Sequence, residues 1–238
     1  GFVKSDDQRS RFAAAGMTNI HDTGELRFDQ PIPQAHLDAG NAARAALTKG
    51  RPSFTFTSVV EGEDAIYIDM IRQTPDVFFT YVPRAPERFD AVAQMLREAG
   101  VTYARRTEIL DADLKLKPDS ADIDVLLGDS MGEMYFYLAL CDRAIVGGGF
   151  VAKGAHNVIE PLALKKPVIV GPHIWTIEYP ATEAIAAGVC KLVPDAAALL
   201  AEIQAPTPVT DAQITAFYED HAGGVARTLA AISKALGG

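Results

Sequence analysis

The sequence predicts a doubly wound α/β fold, in which a parallel sheet carries helices on both of its faces. Seven short segments rich in β-branched, aromatic or aliphatic residues alternate with segments of helical character. Most of these strand segments are near-continuous apolar runs, which is typical of strands buried on both faces of a parallel sheet. Strands that alternate with helices in this way indicate the α/β class.

The predicted strands are Pro52–Val60, Asp76–Val82, Val101–Arg105, Ile123–Leu127, Arg143–Val146, Pro167–Val170 and Val189–Val193. The predicted helices between them are Glu61–Arg72, Pro86–Ala99, Gly132–Leu140, Asn157–Leu164 and Glu178–Ala187.

Helical additions are predicted at both ends of this sheet. Ser5 is the expected N-cap of a helix that extends to Met17, because acidic residues follow it in the first turn. The remaining additions are an extended Thr23–Phe28, a helix over Gln34–Leu47, and terminal helices broken at Pro206 and Pro208. We therefore expect one domain over residues 1–238 with helical extensions at both ends.

The composition is that of an ordinary globular protein and excludes several classes. With 238 residues, of which 48% are hydrophobic and 22% charged, the chain can bury a core. The net charge of −9 argues against a nucleic-acid-binding surface, although one small basic pocket for a phosphate remains compatible with it. No apolar run approaches the ~20 residues of a membrane-spanning helix, and no signal peptide opens the sequence.

The cysteines and the first residues support two further expectations. Cys141 and Cys190 lack metal-ligand spacing and end apolar stretches, so buried free thiols in a reducing compartment are predicted. The opening Gly1-Phe2-Val3 is not a natural start, so we expect a piece of a longer protein.

Residues with reactive or hydrogen-bonding groups cluster directly after five of the predicted strands. Ligands of open parallel sheets bind outside the carboxyl ends of the strands, so these clusters are expected to form one binding site. The five segments are Ser58–Glu63, Pro83–Arg88, Gly128–Glu133, Gly147–Glu160 and Gly171–His173.

The glycine-rich segment that begins at Gly147 predicts a phosphate site. Glycines after a strand let backbone N–H groups approach a ligand, and a helix that starts near Asn157 offers free donors and a positive dipole. A flexible loop with Asn157 as an ordinary N-cap is the alternative. The pattern differs from the G-x-G-x-x-G fingerprint, which argues against a nicotinamide cofactor. Glu160 could accept hydrogen bonds from ribose hydroxyls, or be a solvated surface residue.

Arg84 lies in a turn stiffened by Pro83 and Pro86. An arginine at a strand end can hold a phosphate through two parallel hydrogen bonds. Arg88, inside the following helix, is expected to pair with a neighbouring acid.

The segment Gly128–Glu133 links a predicted strand to a predicted helix. Asp129 or Ser130 could cap that helix, with Glu133 completing a capping box, and the same loop could contact a nucleobase. His173 is the histidine best placed to touch a ligand. The sequence shows no metal-ligand spacing and no Ser-His-Asp order, and Ser130 is not in a G-x-S-x-G context.

Six blocks, taken in order, make the sequence resemble the C-terminal domain of the 3-deoxy-D-manno-octulosonic acid (Kdo) transferase family. That family transfers Kdo from CMP-Kdo to the lipid A precursor in lipopolysaccharide core biosynthesis. The resemblance covers nearly the whole chain, and the joint order and spacing of the blocks is far more specific than any one of them. The blocks are Thr23–Asp29, Ser58–Glu63, Pro83–Phe89, Asp129–Glu133, Val146–Pro161 and Gly171–His173.

The resemblance implies a metal-independent GT-B glycosyltransferase without a cofactor, built from two Rossmann-like domains that face each other across a cleft. This chain would be the C-terminal half, which binds the nucleotide-sugar donor. The N-terminal half, which would bind the lipid A precursor and supply the general base, is absent from the chain. No catalytic residue is therefore expected here, and the chain alone should bind donor without turnover. The implied location is cytoplasmic, and the full-length protein could lie at the inner face of the cytoplasmic membrane.

The resemblance also implies individual donor contacts. Arg84 would meet the CMP phosphate together with the helix start at Gly154–Asn157, and Glu160 would meet the ribose. The turn of Met131 to Glu133 would contact the cytidine. The full expected donor-binding set is Ser58, Arg84, Met131, Gly132, Glu133, Gly148, Gly154, His156, Asn157 and Glu160.

Five positions near the expected site depart from the family pattern, namely Val59, Val60, Ala85, Gly149 and Ala155. Relative to the family, two histidines and one hydroxyl are lost, and each could remove a hydrogen bond of about 1 kcal/mol. Three functions therefore remain open: a Kdo transferase donor domain, a non-catalytic or divergent domain with another nucleotide sugar, and a GT-B UDP-sugar epimerase.

Overall fold

A seven-stranded parallel sheet forms the centre of the computed structural model, which describes residues 1–118, 122–206 and 209–236. Pro208, one of the two predicted helix breaks, lies outside these residues. The elements of the first half are β1 (Phe2–Val3), α1 (Asp6–Ala14), β2 (His21–Asp22), α2 (Gln34–Thr48), β3 (Ser53–Val59), α3 (Asp64–Gln73), β4 (Phe78–Pro83), α4 (Phe89–Glu98), β5 (Tyr103–Arg105) and α5 (Arg106–Ile109).

The elements of the second half are β6 (Val125–Leu127), α6 (Met134–Ala139), β7 (Arg143–Val146), α7 (Ile159–Ala163), β8 (Val168–Val170), α8 (Glu178–Ala186), β9 (Cys190–Leu192), α9 (Ala196–Gln204), α10 (Asp211–His221) and α11 (Gly224–Ala235). Short 3-10 helices cover Leu26–Asp29, Pro86–Arg88 and Trp175–Ile177.

The strand order of the sheet is β5-β6-β4-β3-β7-β8-β9, and every neighbouring pair is parallel. The predicted doubly wound parallel sheet is therefore confirmed. The chain winds from β3 toward β4 on one side and from β7 toward β8 on the other. The crevice where the winding reverses, which is the usual ligand position, thus lies between the carboxyl ends of β3 and β7.

Aromatic residues pack the face of the sheet around β3 and β4. The ring of Phe56 stacks on Tyr67 at 4.4 Å and on Phe79 at 4.9 Å between ring centroids. The opposite side of β7 and β8 is covered by α7, α8 and α10, with Phe217 and Ile214 buried there. Both faces are therefore covered, and β6 and β8 are apolar along their length, as the sequence pattern predicts, whereas β3 alternates phenylalanine with buried Thr55 and Thr57.

The predicted extended segment Thr23–Phe28 is wrong in its second half, which is a 3-10 helix over Leu26–Asp29. The carboxylate of buried Glu25 accepts a hydrogen bond from the backbone N–H of Arg27 at 3.3 Å and thereby turns the chain. The Asp29 carboxylate accepts from two backbone amides at the start of α11, at 2.6 and 2.7 Å. The local bond from Glu25 and the distant bonds of Asp29 to α11 thus override the strand-like pattern.

Other expectations agree with the structure. The Ser5 hydroxyl accepts a hydrogen bond from the backbone N–H of Gln8 and caps α1. Cys141 and Cys190 are buried free thiols. Arg88 pairs with Asp64 through two 2.6 Å contacts, as expected of a helical arginine beside an acid. Within the described ranges, no helix is both long and apolar enough to cross a membrane.

Candidate functional site

A cleft of about 490 Å³ lies at the carboxyl ends of β3, β4, β6 and β7. The loops after these four strands form its walls, and the 3-10 helix after β8 closes one end. Eight of the ten predicted donor-binding residues line it: Ser58, Arg84, Met131, Gly132, Glu133, His156, Asn157 and Glu160.

Gly148 and Gly154, the other two predicted residues, shape the loop instead of lining the cleft. Both have a left-handed backbone with φ of +87°, which glycine adopts without steric cost. A Cβ on Gly148 would lie 2.2 Å from the carbonyl oxygen of Gly154, and one on Gly154 would lie 2.4 Å from the side chain of Thr176. The glycines are therefore required because the loop folds tightly on itself.

The carboxylate of Glu63 holds this loop in place. Glu63 is fully buried and accepts hydrogen bonds from the backbone N–H groups of Val60, Gly148 and Phe150 at 3.2, 2.8 and 3.0 Å. The hydroxyl of Tyr67 donates a fourth bond at 3.4 Å. Burial raises the pKa of the Glu63 carboxyl above its ordinary value, while the backbone bonds lower it in part. One side chain thus joins the loop after β3 to the loop after β7.

Ser58 has a left-handed backbone with φ of +52°, which is uncommon for a residue other than glycine. It lies within an irregularity in the register between Phe56 and Val59, and it lines the cleft. Gly147 packs against it, since a Cβ on Gly147 would lie 2.6 Å from the Ser58 carbonyl oxygen. Such strain concentrates at functional sites, and here it lies at the crevice between β3 and β7.

Arg84 is the exposed cation of the cleft wall. Its backbone N–H donates to the Val59 carbonyl at 2.9 Å, which fixes the position of the turn. The guanidinium forms no ion pair with any residue in the described part of the chain. Arg27 also lines the cleft and is paired with Glu25 at 3.1 Å. The cleft therefore offers one uncommitted guanidinium and one that is already paired.

His156 lines the cleft and has a buried ring nitrogen. Its Nε2 has no hydrogen-bond partner among the residues that the structure describes. Burial, with a smaller contribution from Arg84, lowers the pKa of His156 below its ordinary value, so the ring is neutral at pH 7. An unpaired buried polar atom is rare in proteins and indicates a position that a ligand can satisfy.

The helix α7 begins beside this histidine. The Asn157 side-chain oxygen accepts a hydrogen bond from the Ile159 N–H at 2.9 Å, but the N-cap of the helix is Val158, so Asn157 is not the ordinary N-cap of the alternative prediction. The backbone amides of Asn157 and Val158 donate to no acceptor within the described ranges. Glu160 lies half-buried in the first turn, and burial raises its pKa, while Asn157 and the two nearby arginines lower it in part. Backbone amides that can donate hydrogen bonds to an anion thus lie beside a carboxylate that can accept them from hydroxyl groups.

The capping-box interpretation of Glu133 is wrong. The helix α6 begins at Met134, because Gly132 has a φ of +80° that no helix contains. The Glu133 carboxylate instead forms two 2.8 Å bonds with the guanidinium of buried Arg106 and accepts from the Ser130 hydroxyl. The side chain of Glu133 is therefore committed to the protein, and it fixes the wall that Met131 and Gly132 present.

Asp129 is likewise not a helix cap. Its carboxylate accepts hydrogen bonds from the backbone N–H and the hydroxyl of Thr107 at 3.0 and 2.6 Å. These bonds join the loop after β6 to α5, a short helix that the sequence pattern did not predict. The loop is therefore rigidly placed at the cleft edge.

His173 does not line the cleft. Its backbone bridges two loops, since its N–H donates to the Gly149 carbonyl at 3.0 Å and its carbonyl accepts from Ala155 at 2.7 Å. Its ring packs edge-on against Trp175 at 5.0 Å. Gly149 and Gly171 meet backbone to backbone, because a Cβ on Gly149 would lie 2.8 Å from the Gly171 nitrogen.

Sequence reasoning missed four residues that build the site: Arg27, Glu63, Arg106 and Tyr137. The signal that could have found Glu63 is an acid that follows a strand beside a glycine-rich loop with unpaired amides. Arg106 left no local signal, since its partner lies 27 residues away. No group of three or more metal-ligating side chains is found within the described residues.

The sequence is similar to those of known transferases. No family model matches the chain. It is 40% identical over 249 residues to a 3-deoxy-D-manno-octulosonic acid transferase of Bordetella pertussis, covering 99% of this chain and 56% of that protein. It is 32% identical over 171 residues to the transferase of that name from Haemophilus influenzae, covering 69% of this chain and 38% of that protein. The chain thus spans about half the length of the relatives it matches.

Solved structures share the fold. The C-terminal CMP-Kdo binding domain of WaaA from Acinetobacter baumannii superposes with a TM-score of 0.66 at 23% identity, over 80% of this chain and 100% of that chain. Anabaena HepE in complex with UDP gives a TM-score of 0.57 at 15% identity, over 99% of this chain and 62% of that chain. The sheet and its flanking helices are therefore those of GT-B C-terminal domains.

The substitution Glu63→Gln tests whether this carboxylate holds the two loops together. The amide side chain keeps one acceptor oxygen but turns an NH₂ group toward loop amides that need acceptors. We expect the free energy of unfolding to fall by about 1–3 kcal/mol. Urea unfolding at pH 7 measures the change.

Tyr67→Phe is the matched control, because it removes only the 3.4 Å bond to the same carboxylate and keeps the ring. We expect this variant to lose about 1 kcal/mol or less. A Glu63→Gln protein as stable as the wild type would contradict the inferred role of the carboxylate.

Proposed function

Because the chain belongs to the Kdo transferase family, we propose that it is the donor-binding domain of a glycosyltransferase that uses CMP-Kdo. The observation that carries this proposal is the cleft itself. An uncommitted Arg84, an unpaired His156 nitrogen and a half-buried Glu160 converge on one cavity at the crevice of the sheet. This combination suits a phosphate linked to a ribose.

The geometry supports a definite orientation of the nucleotide. The phosphate would be held by the Arg84 guanidinium, the His156 ring and the free amides at the start of α7. Glu160 would accept hydrogen bonds from the ribose hydroxyls. The base would lie against the wall formed by Met131 and Gly132, whose shape is fixed by Glu133 and its arginine partner.

The five departures from the family pattern weigh little against this donor. Val59 and Val60 are buried in the protein, and Gly149 packs on the neighbouring loop. Among the five, only Ala155 lines the cleft. The family's histidine at Val60 and hydroxyl at Gly149 would therefore lie outside the nucleotide contacts, which favours a donor with the same nucleotide.

The same site would promote departure of the nucleotide during transfer. An acceptor hydroxyl attacks the anomeric carbon, the bond from that carbon to the phosphate oxygen breaks, and CMP leaves with the bonding electrons. Negative charge grows on the phosphate, where Arg84 and the α7 amides would stabilise it. The hydroxyl proton passes to a base outside this chain.

That base and the acceptor site are proposed to belong to an N-terminal domain, because the relatives are about twice as long as this chain. The helix α11 carries a surface that fits such a neighbour. Its side chains Val225, Leu229 and Ile232, together with Leu236 beyond it, form an exposed apolar stripe at helical spacing. We propose that this stripe packs on the acceptor domain, whose own substrate would be the lipid A precursor.

Calorimetric titration of the chain with CMP and UDP tests the donor assignment. We expect CMP to bind more tightly than UDP, and Arg84→Ala to weaken CMP binding about 10- to 100-fold through loss of a charged hydrogen-bond pair. Arg97→Ala removes an exposed arginine on α4 and serves as the control, with unchanged affinity expected. Tighter binding of UDP would overturn the CMP assignment.

His156 predicts a pH dependence of CMP binding. The pKa of the free ring is lowered, and a bound phosphate would raise it, so binding takes up a proton. The affinity of the wild type relative to His156→Asn should therefore rise as the pH falls from about 8 through the ring pKa, below 6.5 in the free protein.

The variant is needed because the CMP phosphate itself titrates near pH 6. Titrations in two buffers of different ionisation enthalpy measure the protons taken up. Parallel pH profiles for the wild type and His156→Asn would show that the imidazole does not meet the phosphate.

Transfer requires both halves of the protein. A full-length protein with CMP-Kdo and lipid A precursor should form the Kdo-linked product, while this chain alone should bind CMP and form none. Product is detected by mass spectrometry. A folded full-length protein that binds CMP but forms no product would indicate a non-catalytic domain instead.

A further inference from the structure

A second cavity lies next to the nucleotide cleft, between α1 and α8. Its volume is about 340 Å³, within the range of small-ligand sites. Thr176 lines both cavities, so the second cavity directly adjoins the first. We call it the α1–α8 cavity. None of the donor contacts proposed above uses it.

Trp175 forms an exposed aromatic surface in this cavity. Its side chain is 54% exposed, which is unusual for the largest apolar side chain. The ring of His173 packs edge-on against it at 5.0 Å and limits its rotation. The hydroxyl of neighbouring Thr176 donates to the Ala155 carbonyl, which ties this segment to the glycine-rich loop. The indole is thus a positioned group rather than a mobile one.

The rest of the cavity lining is polar and carries both signs of charge, with two basic residues, Lys4 and Arg11, and three acidic ones, Asp7, Glu178 and Glu183. Arg11 pairs with Asp7 at 2.8 Å and with Glu178 at 3.3 Å, so one guanidinium lies between two carboxylates. Tyr179 adds a second aromatic ring, and burial raises its pKa to about 12, which keeps the phenol a hydrogen-bond donor. An aromatic face surrounded by carboxylate, guanidinium and hydroxyl groups suits a ligand with one apolar face and many hydroxyls.

We propose that the α1–α8 cavity is a saccharide subsite in which a pyranose ring stacks on Trp175. A sugar ring has an apolar C–H face for the indole and a rim of hydroxyls for the charged side chains. A subsite beside the nucleotide cleft suits sugar transfer, and to that extent the inference rests on the proposed function. The ring could come from the donor or from the acceptor saccharide, since both present the same chemistry.

Trp175 is the only tryptophan of the chain, so its fluorescence reports on this cavity alone. The test titrates the protein with free Kdo and, separately, with N-acetylglucosamine, each with and without saturating CMP. We expect a spectral shift and protection from acrylamide quenching, with a dissociation constant of about 1–10 mM for a single ring. Response to Kdo assigns the donor sugar, and response to N-acetylglucosamine assigns the acceptor.

Two variants separate stacking from folding. Trp175→Ala should weaken sugar binding at least about 10-fold, while Trp175→Phe, which keeps an aromatic face, should stay within about threefold of the wild type. Saturation-transfer NMR of the sugar measures both variants, which lack the fluorescent group. CMP affinity of Trp175→Ala should be unchanged, because the residue does not line the nucleotide cleft.

The inference is overturned if neither sugar changes the fluorescence or binds, with or without CMP. It is also overturned if CMP alone produces the full change, because the indole would then report the nucleotide. Failure of CMP to bind would count against the proposed function only, since the titrations without CMP still test the cavity.

Discussion

The carboxylate of Glu63 is the interaction on which the cleft depends. The glycine-rich loop after β7 pairs the His156 amide with the Gly147 carbonyl, but the amides of Gly148 and Phe150 find their acceptor outside the loop, and buried amides without acceptors are costly. Glu63 satisfies two of them, and one in its own loop, from a position with no solvent exposure. Because these bonds cross the crevice between β3 and β7, they fix the distance between the two walls.

The burial of a carboxylate also explains why its neighbours are polar. Glu63 adjoins Asp64, and the two acids would repel each other without compensation. Asp64 receives two 2.6 Å bonds from Arg88 and one of 2.7 Å from the Tyr81 hydroxyl, while Glu63 receives its bonds from neutral groups. Breaking either set would leave an uncompensated buried charge, which costs several kcal/mol. Each network is therefore needed to satisfy its own buried carboxylate.

The sequence predicted the fold because apolar strands and alternating helices are local patterns. The strand ends that meet in the cleft were predictable for the same reason, since parallel strands bring their carboxyl ends to one edge. Residue roles that depend on partners distant in the sequence were not predictable. Glu133 fits the spacing of a capping box, yet its carboxylate binds Arg106 from another loop. Gly148 fits a phosphate loop, yet its amide is bound to Glu63.

The distinction between paired and unpaired groups separates structural from binding residues in this cleft. Glu133, Asp129 and Glu63 are each hydrogen-bonded to protein partners, so their carboxylates hold the walls of the cleft in place. Arg84 has no ion-pair partner and His156 Nε2 has no hydrogen-bond partner among the described residues, and both residues line the cavity. A buried nitrogen without a partner destabilises the protein when no ligand is bound, and a hydrogen bond to a phosphate oxygen would offset that cost. The proposed position of the phosphate therefore rests on unpaired polar groups more than on the glycine motif.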